Sequence, residues 1–569
     1  MVPFDAQHID FIRSAAGSDR YAEYLKRILT ELVDINTAPG PDPAANAARE
    51  QAMLDLIERE IREITDGQAA CERPPVDPAI AAEAAYSFPG YAADACGHVL
   101  PPETIYAGRT NFLAFVPGGD GSTDPAAILH AHTDVVSPWF PSRVEGGRVY
   151  GRGAADDKAQ IAILLAQLRL LRELAEHTGR QPRRGFVIQL ALDEEIGGNG
   201  SVSLARDPRF AGLPVLMLDA TDLVPYCAHR GAVYYRCRIS ASSHPRTTAL
   251  EIFPYVVMEL EAEGRRIEAE TNCPLFTQAH VQINQGILGP FGTHSGSVCD
   301  HVAFQITAGS PAGAHRLQGL VEEKVHEALE DYFCLYRDKN RETDPATGRP
   351  KVLRHFELQS SPETGPGDLR LDVWGKGGHM AAVKECDNAI TKAAYLLAGT
   401  LQAFSTRCET CVHIRFANSH DGRHRRQVVL EGGLGFTPSH QMPALQQRLA
   451  MAARRGVMKY CRLRNLPFEE SMIRTTFERL HNDAYADSPE SAPMQAFKAA
   501  FDALGEPWPE PMAWQTSCDA RIYHHHGHPV AIIGAGKLEA CHSDAEYVDI
   551  PDVQKCLAIT TLATWALTG

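Results

Sequence analysis

Histidines and carboxylates recur in this chain directly after short apolar runs. "ILHAHTDVV" carries His132 and Asp134, and "GRGAADDK" carries Asp156 and Asp157. "LALDEEIGG" carries Asp193, Glu194 and Glu195, "VLMLDAT" carries Asp219, and "GAGKLEACHSDAEYV" carries His542. An apolar run that ends in polar residues is the pattern of a buried strand in a mostly parallel sheet. Ligands gather beyond the carboxyl ends of such strands. Each segment also has an ordinary reading. A lone histidine after a strand serves as a hydrogen-bonded core residue, "AADDK" as a helix N-cap with acids at the favourable end of the dipole, and "DEE" as a solvated strand end. Taken together, they put too many acids on one face to stand without cations. Histidine mixed with carboxylate, with no thiolate, suits zinc, manganese or cobalt, whereas calcium or magnesium favours all-oxygen sets.

The elements that would position these residues read as α/β architecture. "AEYLKRILTELVDI" and "REQAMLDLIEREIREI" have apolar residues at helical spacing and are separated by the turn-rich "NTAPGPDPAAN". "KAQIAILLAQLRLLRELAEH" predicts an amphipathic helix with Ile161, Leu164, Leu165, Leu168 and Leu171 on one face. From about residue 228 the character changes to alternating strands and long helices. The order there reads as two β-α-β-β-α units, a duplication. In each unit a strand runs into a small-residue turn and a histidine: "ISASSH" ends at His244 and "WGKGGH" at His379. The last stretch returns to α/β signals. The expected organisation is a discontinuous α/β domain, 1–227 with 480–569, carrying a mostly parallel sheet flanked by helices. Residues 228–479 form an inserted α+β domain of ferredoxin-like units, doubled.

Bulk properties narrow the class. The chain has 569 residues, more than one ordinary domain holds. A formal net charge of −16 argues against a nucleic-acid partner, which needs a basic face. The N-terminus shows no basic segment followed by an apolar one, and no apolar stretch is long enough for a membrane span. The 14 cysteines are scattered. Cys408 and Cys411 have CxxC spacing but no second ligand pair nearby, so a reduced, cytoplasmic chain is expected.

As a set, "HAHTDVV", "GRGAADDK", "DEEIGG", "SCDARIY" and "GAGKLEACHSDAEYV" resemble, in order and spacing, the M20 metallopeptidases, a family of aminoacylases, carboxypeptidases, dipeptidases and deacetylases. The resemblance covers roughly 20–225 and 480–569. It implies two divalent metal ions, most simply Zn2+, with Mn2+ or Co2+ as alternatives. His132, Asp156, Glu195, Asp219 and His542 would be the ligands, with Asp156 bridging both ions. Asp134 would orient His132, and Glu194 would be the general base. On this reading two cations offset the repulsion within "DEE". The family's lid histidine is best matched by His379 in "GKGGHMAAVKECDNAI". His244 lies closer to where simple dimeric members carry theirs. The insert is about twice the common size and resembles a monomeric branch in which a doubled lid imitates the dimer within one chain. A monomer is therefore expected, with a homodimer as the alternative. "QTSCDA" departs from the glycine pair many members carry, and Arg521 is a candidate for a substrate carboxylate or for an ordinary ion pair.

Two activities stay open. One is hydrolysis of a dipeptide or short peptide, the other deacylation of an N-acyl amino acid. A catalytically silent homologue would lack the base or a ligand, whereas here every one of those positions is occupied.

Overall fold

The computed structural model describes residues 5–93, 99–122, 124–241, 247–308, 314–344, 347–360, 368–405, 412–417, 426–477 and 482–569. The chain divides into two compact units, Met1–His229 with Arg479–Gly569, and Arg230–Glu478.

The first unit opens with three helices: α1 (Ala6–Ala16), α2 (Asp19–Val33) and α3 (Pro43–Ile64). The first was not anticipated from the sequence. Its apolar positions are sparse, and it is held by packing against the C-terminal helix, where His8 meets Trp565. Next come β1 (Ala70–Glu72), β2 (Phe112–Val116), β3 (Pro125–His132), α4 (Lys158–Thr178), β4 (Gly185–Ala191), α5 (Asn199–Ala205) and β5 (Val215–Leu218).

The second unit runs β6 (Gly231–Ser240), α6 (Ala249–Ala269), β7 (Gln282–Leu288), β8 (His301–Ala308), α7 (Ala314–Tyr336), β9 (Phe356–Ser360), β10 (Asp368–Trp374), α8 (Ala389–Ser405), β11 (Val412–Phe416), β12 (Gln427–Phe436), α9 (Met442–Leu463) and β13 (Ile473–Phe477). The chain then returns to the first unit with α10 (Ala492–Leu504), α11 (Ala520–His525), β14 (Val530–Ile533) and α12 (Ile550–Thr568).

The sheet of the first unit has the order β1-β2-β4-β3-β5-β14. Its β4-β3-β5-β14 part is parallel, and β1 and β2 join antiparallel. Every residue of β3 and of β4 is buried, as strands covered on both faces must be. The helix α4 is buried nearly all round in its first half, because it packs against α2 and α12 as well as β3, and it ends on Gly179 in the left-handed region. The parallel strands all end on one edge. His132 closes β3, Asp193 follows β4 by two residues, Asp219 follows β5 by one, and Gly534 follows β14 by one.

The second unit contains two four-stranded antiparallel sheets, β7-β12-β6-β13 and β9-β10-β8-β11. The strands do not group as the two consecutive units read from the sequence. β8-α7-β9-β10-α8-β11 forms a complete β-α-β-β-α-β set, lodged between β7 and β12 of another, β6-α6-β7…β12-α9-β13. The two sets share one strand order, second-third-first-fourth. His379 lies in a short strand, Gly378–His379, paired antiparallel with Ser297–Val298; its side chain lies outside the described residues. His244, Cys408 and Cys411 also lie outside them.

A buried ion pair fastens the turn after β10. Lys392 is fully buried and its ammonium meets Asp387 at 2.5 Å, the Trp374 carbonyl at 2.6 Å and His355 Nδ1 at 3.0 Å. The Tyr332 hydroxyl donates to Asp387 at 2.6 Å. Removing one partner of such a pair leaves an uncompensated buried charge. Lys392→Met should therefore cost about 3–5 kcal/mol in denaturant unfolding of the second unit's transition. An unchanged midpoint would show the pair to be energetically idle.

Candidate metal centre

The carboxyl edge of the parallel strands brings His132, Asp156, Glu195 and His542 together. Nε2 of His132 lies 3.0 Å from Oδ1 of Asp156. Nε2 of His542 lies 3.2 Å from the other oxygen of Asp156 and 3.0 Å from Glu195. Asp156 thus sits between two imidazoles. Two groups of potential donor atoms share it, each with its atoms within 4.8 Å of one another: His132, Asp156 and Asp157, and Asp156, Glu195 and His542. Neither group includes a cysteine. Glu194 comes within 4.0 Å of His132 Nε2. Asp219 is buried beside them, with one oxygen accepting the N–H of Ala220 at 2.6 Å.

The electrostatics follow from burial. Burial raises the carboxyl of Glu194 well above its ordinary range, and Asp519 adds to it. Burial likewise lifts Asp219, with Asp156 adding, and lifts Glu195. Asp156 moves the other way: burial would raise it, but the His132 and His542 imidazoles more than reverse that. Burial works against protonation of His132, yet Asp157, Asp134 and Asp156 outweigh it and raise its pKa. His542 is raised chiefly by the charge of Glu195.

Backbone clamps hold this arrangement. Asp134 accepts the N–H of Glu194 at 3.0 Å on one oxygen and that of Glu195 at 3.1 Å on the other. Nδ1 of His132 lies 3.1 Å from the Asp134 carbonyl. Asp134 therefore ties the turn of the paired glutamates to the strand end bearing His132. Asp157 occupies the N-cap position of α4 but makes no capping bond with its side chain; instead it accepts the His132 N–H at 2.9 Å. The second glycine of "DEEIGG" is required by space: Gly198 has φ +78, and a Cβ there would lie 2.0 Å from Asp519. Arg521 is buried, and its guanidinium donates to the carbonyls of Cys518 and of Gly197, at 2.5 and 3.0 Å. It joins the "SCDA" segment to the turn that follows the glutamates.

Sequence reasoning missed Glu546, which is fully buried. One of its oxygens accepts the N–H groups of Gly153, Ala155 and Asp156 at 3.0–3.2 Å. The other meets Arg152 at 2.6 Å, and Arg152 also donates to the carbonyls of Pro138 and His542. One ion pair thus ties the loops carrying Asp156 and His542. Glu546 stands four residues after His542, so the motif contained it, but nothing in the spacing says that it faces the backbone of residues 153–156.

The model of peptidase family M20/M25/M40 matches residues 128–565, so the chain belongs to that family. Its fold resembles that of the di-peptidase Dug1p from Saccharomyces cerevisiae, at a TM-score of 0.55 and 12% identity over 98% of each chain. Among curated proteins, it is 34% identical over 119 residues to the N-fatty-acyl-amino acid synthase/hydrolase PM20D1.1 of Danio rerio, which is 19% of this chain and 22% of that protein. It is 42% identical over 98 residues to succinyl-diaminopimelate desuccinylase of Rhodopseudomonas palustris, 16% of this chain and 24% of that one. These two matches span about a quarter or less of the relatives' own length.

Replacing Glu546 tests the frame. Glu546→Gln puts an amide donor where three N–H groups and a guanidinium converge. Divalent-ion affinity, read by competition with a chelating dye, should weaken ~10–100-fold, as loss of a supporting partner does. Unchanged affinity would show that Asp156 holds its place without Glu546.

Proposed function

We propose that this protein is a dinuclear metal-dependent hydrolase of an amide bond, acting on a dipeptide or short peptide. The observation that carries the reading is Asp156, shared between two donor groups that contain His132 and His542, with the carboxylate of Glu194 alongside. The donor set fits two divalent ions of the zinc, manganese or cobalt kind: imidazoles and carboxylates without thiolate, with burial raising Glu195 and Asp219 and with Asp156 set between two imidazoles. His132, Asp156, Glu195, Asp219 and His542 would hold them. Bound there, the ions supply Lewis acidity toward water and the scissile carbonyl.

The chain's own groups do the rest. Glu194 takes a proton from the attacking water and returns it to the leaving nitrogen. Asp134 keeps Glu194 aimed by holding its N–H, and keeps the ring of His132 turned through Nδ1. His379, on the strength of its motif, is the hydrogen-bond donor to the developing oxyanion. In this reading the second unit is the family's lid, doubled within one chain, and the protein works as a monomer. A second reading, N-acyl-amino-acid deacylation with the same core, is favoured by the curated relatives, whose names include a fatty-acyl-amino acid hydrolase and a desuccinylase. A panel of dipeptides and N-acyl amino acids, assayed with each metal, separates the two.

Glu194→Gln should retain both metal equivalents and lose ~10³-fold or more in kcat. Near-wild-type turnover with a full metal complement would end the assignment. Asp156→Ala should lose both ions, since it serves both.

The proton balance gives a second test. In the metal-free protein His132 and His542 are raised in pKa, as are Glu194, Glu195 and Asp219, so they hold protons at higher pH than free side chains would. Cations must expel those protons. Titration calorimetry at pH 7 in buffers of different ionisation enthalpy should show net proton release, and affinity should fall as pH is lowered from 8 to 6. Affinity independent of pH over that range would contradict the ligand set.

A further inference from the structure

The first acid of "DEE" has no place in the ligand set, yet it is the one most completely enclosed. Asp193 is fully buried and its backbone lies in the left-handed region, φ 63, which non-glycine residues adopt uncommonly. The Arg109 guanidinium donates to one oxygen of Asp193 at 2.7 Å and to the other at 3.3 Å. The hydroxyls of Tyr91 and Tyr106 donate to that second oxygen at 3.0 and 3.1 Å. Arg109 is itself fully buried, lies against the faces of both tyrosines, and is gripped from the other side by Glu50 of α3 through Nε and Nη2. The next two residues of the chain are Glu194 and Glu195, whose N–H groups are fixed by Asp134. The turn is thus pinned at two points, by Asp134 through the backbone and by Arg109 through the side chain of Asp193.

We propose that Arg109 is a positioning residue for Glu194: bridging Glu50 and Asp193, it holds the left-handed Asp193 from which Glu194 is aimed. The proposal rests on the reading of Glu194 as the base. Planarity matters, because the guanidinium fork serves two carboxylates at once, which a lysine ammonium cannot reproduce. Asp193→Asn keeps the shape and the acceptor oxygen but removes the charge that Arg109 faces.

The test uses full-length Arg109→Lys, with Asp193→Asn as the second variant should the first fail to fold. Hydrogen exchange of the metal-free protein, followed by mass spectrometry, should show the peptide over 192–198 exchanging tenfold or more faster, with β3 unchanged. The metal-loaded variants should keep two equivalents of zinc and an unchanged KM, while kcat falls ten- to a hundredfold. Added to Glu194→Gln, the Arg109→Lys change should cost nothing further, because the group it positions is gone. Unchanged exchange over 192–198 overturns the proposal, and so does faster exchange with unaltered kcat. A loss of kcat equally large in the Glu194→Gln background overturns it too. If Glu194→Gln itself turns over normally, the base assignment fails, and the exchange arm still reports whether Arg109 holds the turn.

Discussion

Carboxylates crowded into a buried strand edge set the terms for the first unit. Two unit charges about 4 Å apart interact by ~4 kcal/mol at an effective dielectric near 20. A few like pairs of that size rival the entire ~5–15 kcal/mol by which a domain is stable. The chain answers in two ways. It holds protons on Glu194, Glu195 and Asp219 to unusually high pH, and it sets Asp156 between two imidazoles. Both answers leave the edge short of positive charge in a form that divalent ions complete.

The acids divide by what neutralises them. Asp193 has Arg109, Glu546 has Arg152 and three backbone N–H groups, and Asp134 has the N–H groups of two glutamates. These carboxylates are paired within the protein and serve as frame. Asp156, Glu195, Asp219 and Glu194 have imidazoles or one another. The frame acids grip the segments that carry the second set. Asp134 and Asp193 grip the glutamate turn, and Glu546 grips residues 153–156 together with the His542 loop. Such a frame keeps the segments that bear Asp156, Glu194, Glu195 and His542 from relaxing apart under the repulsion of their own carboxylates, at the expense of burying Arg109 between Glu50 and Asp193 and Arg152 against Glu546, charges that an apolar core would not need.

This division explains what could be read from the sequence. His132, the paired glutamates and Asp219 were legible because each follows an apolar run, and β3 and β4 bury every residue of theirs. Asp156 instead stands in the turn two residues before α4, and His542 in a turn nine residues beyond β14, so these two were legible only through their motifs. The frame was not. Arg109 lies 84 residues from its partner Asp193, and Arg152 lies 394 residues from Glu546; no periodicity links such positions. Asp157 had an ordinary reading as a helix cap, and the structure gives it the N-cap place without the capping bond, its oxygen having gone to the His132 N–H instead. Arg521 was open between a substrate carboxylate and an ion pair, and in the structure it donates to two carbonyls and lies 3.7 Å from the carboxylate of Asp519. In each case local chemistry allowed several partners, and only the tertiary fold chose.

The second unit shows a different limit. A string of strands and helices reading βαββαββαββαβ can be cut into consecutive units or into one unit nested in another, and local signals are identical for both. Pairing decides. β7 and β12 are antiparallel neighbours, with Leu288 opposite Leu430, so the end of one strand lies beside the start of the other. A hairpin opened at that point has its two ends already adjacent. The inserted set is suited to it, because β8 and β11, its first and last strands, are also antiparallel neighbours, with Phe304 opposite Phe416. A unit whose termini lie together can enter a surface connection without pulling on the strands that flank it. The nested arrangement therefore preserves both hydrophobic sheet faces and both strand orders, whereas a slip of register would turn each buried face outward. Two like sets, one nested in the other, can thus each keep the second-third-first-fourth order.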